Sequence, residues 1–237
     1  MDRTATAPAE EPAGARITAR SLRLGVLLTL VGGGLDAYTY VSRNGVFANA
    51  QTGNVVLLSV QAAQSHWSEA LNHVPPILAF LVGVATSESL TRPRLAVLVR
   101  RPERAALILE LVMLTVVGFI PRSAPDSIVT VLVAFTAAVQ ISTFRTLRDS
   151  PYSTAMTTGN LRTLAFNSYR AVIDHDDEAA HRARYFGAIV LSFVLGALGG
   201  AVLTRSEGSH AVWAGAAVLV LALAQESRST ARRGCLA

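Results

Sequence analysis

The chain has no lysine and a single cysteine, Cys235, among its 237 residues. One thiol builds neither a disulfide framework nor a thiolate metal site, and all the basic charge is carried by arginine. Aromatic residues make up only 6% and charged residues 16% of the chain. The net charge of +5 therefore comes without the basic face and interleaved stacking rings that bind nucleic acid, and the arginines fall in short runs between apolar segments. There is no glycine-rich phosphate loop, nucleophile elbow or HExxH motif, so nothing in the chain requires catalysis, a cofactor or a metal. The one cluster with metal-ligand residue types, Asp174-His175-Asp176-Asp177-Glu178 with His181, lacks the fixed spacing of a metal site and reads as a solvated charge run. His66, His73 and His210 stand alone at expected loop positions.

What the chain has instead is apolar length. Hydrophobic residues are 51% of the total and the mean hydropathy is +0.41, a balance that belongs to integral membrane proteins. Residues 1–20, rich in Ala, Pro, Glu and Thr without apolar periodicity, read as a disordered cytoplasmic tail, and 227–237 as a basic cytoplasmic tail, with a membrane domain over 21–226 between them. A span needs about 20 mostly apolar residues. Segments 22–41, 75–92, 104–121, 127–146, 185–204 and 210–226 meet that requirement. Ala48-Asn49-Ala50 imitates a signal-peptidase site, but the apolar run before it is too long for a signal core and its counterpart lies deep in the chain, so 22–41 is expected to remain as a span.

That counterpart belongs to an internal duplication. Gly45 to Leu58, GVFANAQTGNVVLL, returns as Pro151 to Leu164, PYSTAMTTGNLRTL, and the offset that lays Thr52-Gly53-Asn54 on Thr158-Gly159-Asn160 also lays Leu35-Asp36 on Ile141-Ser142. After a short insertion, Phe80 to Gly83 and Leu90-Thr91-Arg92 fall on Phe193 to Gly196 and Leu203-Thr204-Arg205. Collinear blocks of this kind are the trace of a repeat, here about 22–121 and 127–226.

Each repeat contains one segment too short to cross. Segments 52–64 and 158–172 open on Thr-Gly-Asn, and at about 1.5 Å per residue such helices fall well short of the ~30 Å hydrocarbon core. Arginine placement decides their path. Arg16, Arg20 and Arg23 precede the first span, and Arg92, Arg94, Arg100, Arg101 and Arg104 lie between the second and third. Both groups are cytoplasmic under the positive-inside rule only if 52–64 enters and leaves on one face. Treating 158–172 alike also places Arg145, Arg148, Arg170, Arg182, Arg184 and Arg228 inside. The expected fold is all-α: six transmembrane helices and two re-entrant half-helices in an inverted 3+3 repeat, with both termini cytoplasmic.

The candidate site is where the two half-helices begin. Thr52, Asn54, Thr158 and Asn160 have N-cap chemistry, Gly53 and Gly159 permit a tight turn, and two helix starts at mid-bilayer would aim amides and partial positive charge at one place. The bland alternative is that each Thr-Gly-Asn only closes a turn. Asp36, in a run of glycines within the first span, is an ionisable group where ionisable groups are costly. It is expected to carry a coupling proton, to pair with Arg162, or to cap a neighbouring helix. Glu110 faces the bundle or reaches for the boundary, and Gln140 lines the pathway or bonds across helices.

The stretch LDAYTYV followed by NGVFANAQTGNVVLL resembles the signature of the YoaK-like family of bacterial inner-membrane proteins, and the second-half pattern of a Gln-containing helix, a Thr-Gly-Asn turn and an Arg/Leu helix is similar too. The resemblance covers about residues 20–225. It implies a multi-span protein of the bacterial cytoplasmic membrane and brings no activity or catalytic residues with it. The functional expectation is a transporter or channel for a small solute or ion, with the lipid bilayer as its surroundings. The competing readings are a non-transporting scaffold or sensor with a structural polar centre and, third, a membrane enzyme.

Overall fold

A computed structural model describes residues 18–19, 22–90, 92, 99, 101–147, 150–155 and 157–234. All of the tail expected over 1–20 except residues 18–19, together with Cys235 and most of the arginine loop at 93–98, lies outside the described residues. The regular structure is helical: α1 Leu22–Ser42, α2 Gln51–Ala63, α3 Trp67–Leu71, α4 Val74–Leu90, α5 Pro102–Phe119, α6 Asp126–Thr143, α7 Thr157–Ile173, α8 Asp177–Glu207 and α9 Val212–Gly234. The only extended pieces among the described residues are two-residue ladder fragments, Thr18–Ala19 beside Thr146–Leu147 and the latter beside Ser150–Pro151.

Local chemistry sets most of the boundaries. Pro102 occupies the first turn of α5, where its missing N–H costs nothing. Asp176 caps α8 by accepting from Ala179 N at 2.9 Å; that bond and the nearby Arg170 and Arg182 hold its carboxyl below the usual range. Gly208, at φ +63°, ends α8 in a conformation that L side chains rarely adopt. A short 3-10 turn, Gly208–Ala211, leads into α9.

The two short segments come out as expected, α2 over 51–63 and α7 over 157–173. Three boundaries differ from the reading of the sequence. The span expected at 75–92 acquires a preceding turn of helix, α3, and runs as one apolar unit from Trp67 to Leu90. α8 starts well before 185, because the charged stretch Asp177 to Arg184 is a solvated extension of the helix and not a loop. α9 continues through 227–234, where a tail was expected.

Four segments among the described residues are long and apolar enough to cross a membrane: Leu22–Ser42, Trp67–Leu90, Asp126–Thr143 and Asp177–Glu226, the last containing both α8 and most of α9. Large apolar side chains such as Leu81, Val82, Leu198 and Leu221 stand exposed on their outer faces. A water-facing protein does not carry so much exposed apolar surface; these are the helices of a membrane-embedded protein.

Helix packing is reciprocal between the two halves. α1 packs most extensively on α8, and α6 on α4. Gly83 and Gly196, matched in the duplication, do the same work: a Cβ on Gly83 would lie 2.6 Å from the Phe135 carbonyl oxygen, and one on Gly196 would collide with the Leu30 carbonyl. Such backbone-to-backbone contact is how helices associate where lipid removes the hydrophobic drive between them. The contacts also give direction. Gly196 meets Leu30 and Gly200 meets Gly34, so α1 and α8 run the same way. Gly83 meets Phe135 and Ser87 meets Thr143, so α4 and α6 do too. By contrast α1 and α6 run oppositely: Arg43 after the end of α1 pairs with Asp126 at the start of α6, and Thr18–Ala19 before α1 ladders with Thr146–Leu147 after α6.

Substituting Gly196→Leu should abolish accumulation of folded protein in the membrane, whereas Gly199→Ala, whose Cβ meets nothing within 4 Å, should melt within a few degrees of wild type; thermal unfolding in detergent micelles, followed by aggregation or fluorescence, measures both.

Candidate functional site

After α1 ends, residues 43–50 do not leave the bundle but turn back along the same helix. Asn44 and Gly45, both at positive φ, make the reversal. Ala48 N donates to Thr39 Oγ1 at 3.0 Å, Asn49 N donates to Asp36 Oδ1 at 2.7 Å, and Asn49 Nδ2 reaches the Gly32 carbonyl at 2.9 Å. From Ser42 to Gly32 the loop thus retreats about 15 Å by helix rise, half the hydrocarbon thickness. There α2 begins.

The other half approaches the same turn of α1 from its N-terminal end. Tyr152 Oη donates to the Gly25 carbonyl at 2.9 Å and lies 3.0 Å from Thr29 Oγ1. One helical turn further on, the Thr154 carbonyl sits against Gly32, where a Cβ would be 2.6 Å from its oxygen. α7 begins three residues later. The polar approaches to α2 and α7 therefore meet at Gly32, each lying along a different half of α1.

Asp36 is 5% exposed, and its carboxylate takes two backbone amides of the approach to α2, Asn49 N at 2.7 Å and Ala50 N at 3.3 Å, both on Oδ1. Both amides precede the first turn of α2, so the carboxylate anchors the loop to α1 at the entrance to that helix. A negative group beside the positive end of α2 is electrostatically well placed, which offsets part of the cost of a carboxylate inside a span. No ion pair joins it to Arg162, which stands exposed on α7.

The expected N-caps are not N-caps. The N-cap position of α2 is Ala50, which has no side-chain capping bond, and Thr52, Thr158 and Gly159 are exposed. Gly53 gives room to the Phe47 ring, 3.0 Å from where its Cβ would be. The two asparagines act further back. Asn54 accepts from Phe47 N at 3.0 Å and donates to Phe47 O at 2.7 Å. Asn160 accepts from Ser153 N at 3.4 Å and donates to Ser153 O at 2.7 Å. Phe47 and Ser153 are equivalent under the duplication, so each buried amide clamps its own loop seven residues upstream, mimicking a strand partner. Asn54 is held in turn by Gln51 Oε1 at 2.9 Å and lies 3.3 Å from His73 Nδ1, just before α4.

Glu110 and Gln140 form a separate pair. Gln140 Nε2 donates to Glu110 Oε2 at 2.7 Å between α5 and α6, with both side chains buried. Glu110 thus faces the bundle, and Gln140 bonds across helices; neither has a hydrogen bond to the residues around Gly32.

Several residues of the centre carry no motif signal: Gly32, Thr39, Asn49, Tyr152, Thr154 and Thr157. Asn49, Tyr152, Thr154 and Thr157 lie inside the repeated stretches and could be found only by asking which residues there are polar. The most informative are the unpaired ones. Asn49 Oδ1, Thr154 Oγ1 and Thr157 Oγ1 are buried without a hydrogen-bond partner. Buried polar atoms are nearly always paired, so three such oxygens on the approaches to the two helix starts are a place for water or a polar solute. A fourth unpaired group is at the α1–α6 seam, where the buried Arg43 pairs through Nη1 with Asp126 at 3.1 Å while Nε and Nη2 have no partner.

Residues 24–225 match the family described as "Protein of unknown function (DUF1275)". Neither the curated proteins nor the solved structures contain a significant match.

Removing the Asp36 carboxylate as Asp36→Ala would leave the Asn49 and Ala50 amides buried and unpaired, at roughly 1–3 kcal/mol each. Asp36→Ala is expected to melt far below wild type in detergent, and Asp36→Asn, which keeps an acceptor oxygen, close to it.

Proposed function

The chain belongs to the DUF1275 family, and we propose that this member is a transporter or channel for a small polar solute or ion, with its path running between two inverted repeats and no enzymatic activity. In this reading α1, α3–α4, α5, α6, α8 and α9 cross the bacterial cytoplasmic membrane, α2 and α7 re-enter from opposite faces, and both termini are cytoplasmic. The opposed directions of α1 and α6 and the reciprocal packing of the halves support the inversion. The observation that carries the transport reading is the meeting of both polar approaches at Gly32, with unpartnered buried oxygens on Asn49 and Thr154 there and on Thr157 at the start of α7. Irregular backbone survives at that depth only against protein or a wet cavity, and inverted-repeat transporters place their solute sites between such broken helices.

A second reading, a scaffold or sensor with a purely structural centre, is favoured by the Asn54 and Asn160 clamps and by the amide-bound Asp36, all of which stabilise loops. The two readings separate on Thr157→Val. Replacing an unpartnered hydroxyl by a methyl of the same shape leaves a structural centre equally stable or more so. A centre that hydrates or contacts a solute loses flux. With expression unchanged, uptake across a solute panel in a deletion strain should fall for Thr157→Val and vanish for Asp36→Asn; uptake independent of the gene for every solute would sink the transport reading. The scaffold reading expects Asn54→Ala and Asn160→Ala to lower folding yield with no flux to change.

Topology is tested separately in a Cys235→Ser background. Cysteines at Ser65 and Trp67 should react with impermeant maleimide from outside, and one at Leu98 only after the cytoplasmic face is opened. Labelling of Ser65 and Leu98 from the reverse sides would mean that α2 crosses.

A further inference from the structure

α1 and α6, the helices matched in the duplication, run in opposite directions and make little contact along their length. Their seam is pinned at its two ends. One pin is the backbone ladder of Thr18–Ala19 with Thr146–Leu147. The other is a side-chain clamp on Asp126, the first residue of α6. Its Oδ1 accepts from Arg43 Nη1 at 3.1 Å and its Oδ2 from Asn44 Nδ2 at 2.6 Å. Consecutive residues of the reversal that starts the approach to α2 thus hold both oxygens of one carboxylate. That reversal turns on the positive φ of Asn44 and Gly45.

The clamp is unequal. The Asp126 side chain is 33% exposed and stays hydrated, whereas that of Arg43 is 1% exposed. Nε and Nη2 of Arg43, the edge of the guanidinium fork that faces away from Asp126 Oδ1, are closed off from solvent without an acceptor. A guanidinium cannot shed its charge, and a buried charge that is only partly paired is poorly compensated for the water it has lost. The closed clamp therefore carries a penalty on one side only. It is relieved when the Arg43 end of the approach lifts and water reaches Nε and Nη2. The other pin, backbone on backbone, holds no charge away from water.

We propose that Arg43 to Val46 form a strap that opens the α1–α6 seam at its Asp126 end: the clamp breaks, the Arg43 guanidinium hydrates, and the start of the approach to α2 swings out. Asp36 and Asn54 hold the far end of the approach in place meanwhile. Within the transport reading, on which this role rests, the strap is the gate on the side of the α1 C-terminus, and solute reaches Gly32 beneath it. The ladder of Thr18–Ala19 with Thr146–Leu147 keeps the opposite end of the seam shut in that movement.

The experiment places Val46→Cys, at a strap position that is 2% exposed, in a Cys235→Ser background and measures its rate of reaction with maleimide. The full chain is used in detergent micelles, where the reagent reaches both faces and no solute is needed. Asp126→Ala, which strips Arg43 of its one partner, should speed the reaction roughly tenfold, the factor that one charge-assisted hydrogen bond represents. Arg43→Met, which fills a similar space without charge, should slow it, because the penalty that favours opening is gone. A clamp that only holds the fold together would make both variants faster. Leu114→Cys, at a position in α5 that is 0% exposed, reports general loosening and should stay unreactive throughout. A faster reaction in Arg43→Met, an unchanged rate in Asp126→Ala, or reaction at Leu114→Cys in step with Val46→Cys would each overturn the strap. Rates that move as expected without gene-dependent uptake of any solute support the strap and sink the transport reading. Gene-dependent uptake with unmoved rates sinks the strap alone.

Discussion

A peptide group in hydrocarbon has no water to turn to, and each unpaired N–H or C=O costs several kcal/mol. The two approaches to α2 and α7 are stretches of irregular chain within a helical bundle, and most of the polar bonds near Gly32 answer that constraint. The Asn54 and Asn160 side chains each supply an N–H and a C=O partner to loop backbone, and Thr39 and Asp36 take three further amides. Where the constraint is not met, at Asn49 Oδ1, Thr154 Oγ1 and Thr157 Oγ1, the centre has capacity for something the protein itself does not supply.

The halves solve the same problem with different residues. The asparagine clamp occurs in both, with one geometry. The anchoring of the loop to α1 does not: the first half uses a carboxylate and a threonine on α1, and the position matching Asp36 is Ser142. The second half uses a tyrosine on the loop, Tyr152, bonded to Gly25 and Thr29. Both loops therefore lie on α1, and α6 carries instead a glutamine in its last turn, Gln140, bonded to Glu110. α1 is the common support of two elements matched in the sequence duplication, and the centre they form is chemically lopsided.

Close helix contact comes from small residues. Glycines on α1 and α8 let backbones touch at Leu30–Gly196 and Gly34–Gly200. Where a glycine faces no partner, at Gly199, the absent side chain leaves space instead of contact.

The all-helical class, the two short helices and their polar approaches were legible in the amino-acid order, because apolar length and Thr-Gly-Asn repetition are local properties. The division of the apolar length into helices was not, since α3 was unseen and four described segments, not six, are long and apolar enough to cross. The singularity of Asp36, a charge in a span, was plain from the order alone. The partners of these groups were not legible. Thr52 and Asn54 read as helix caps by residue type, yet the side chain of Asn54 turns back to Phe47, since the loop amides there are in greater need than those of the first turn. Asp36 could as well have met Arg162; the fold brought two loop amides to it instead. Glu110 and Gln140 share no sequence spacing that marks a pair. Periodicity and composition set which segments enter the membrane. Which polar group satisfies which, and which is left wanting, depends on contacts between residues far apart in the chain, and those exist only once the helices have packed.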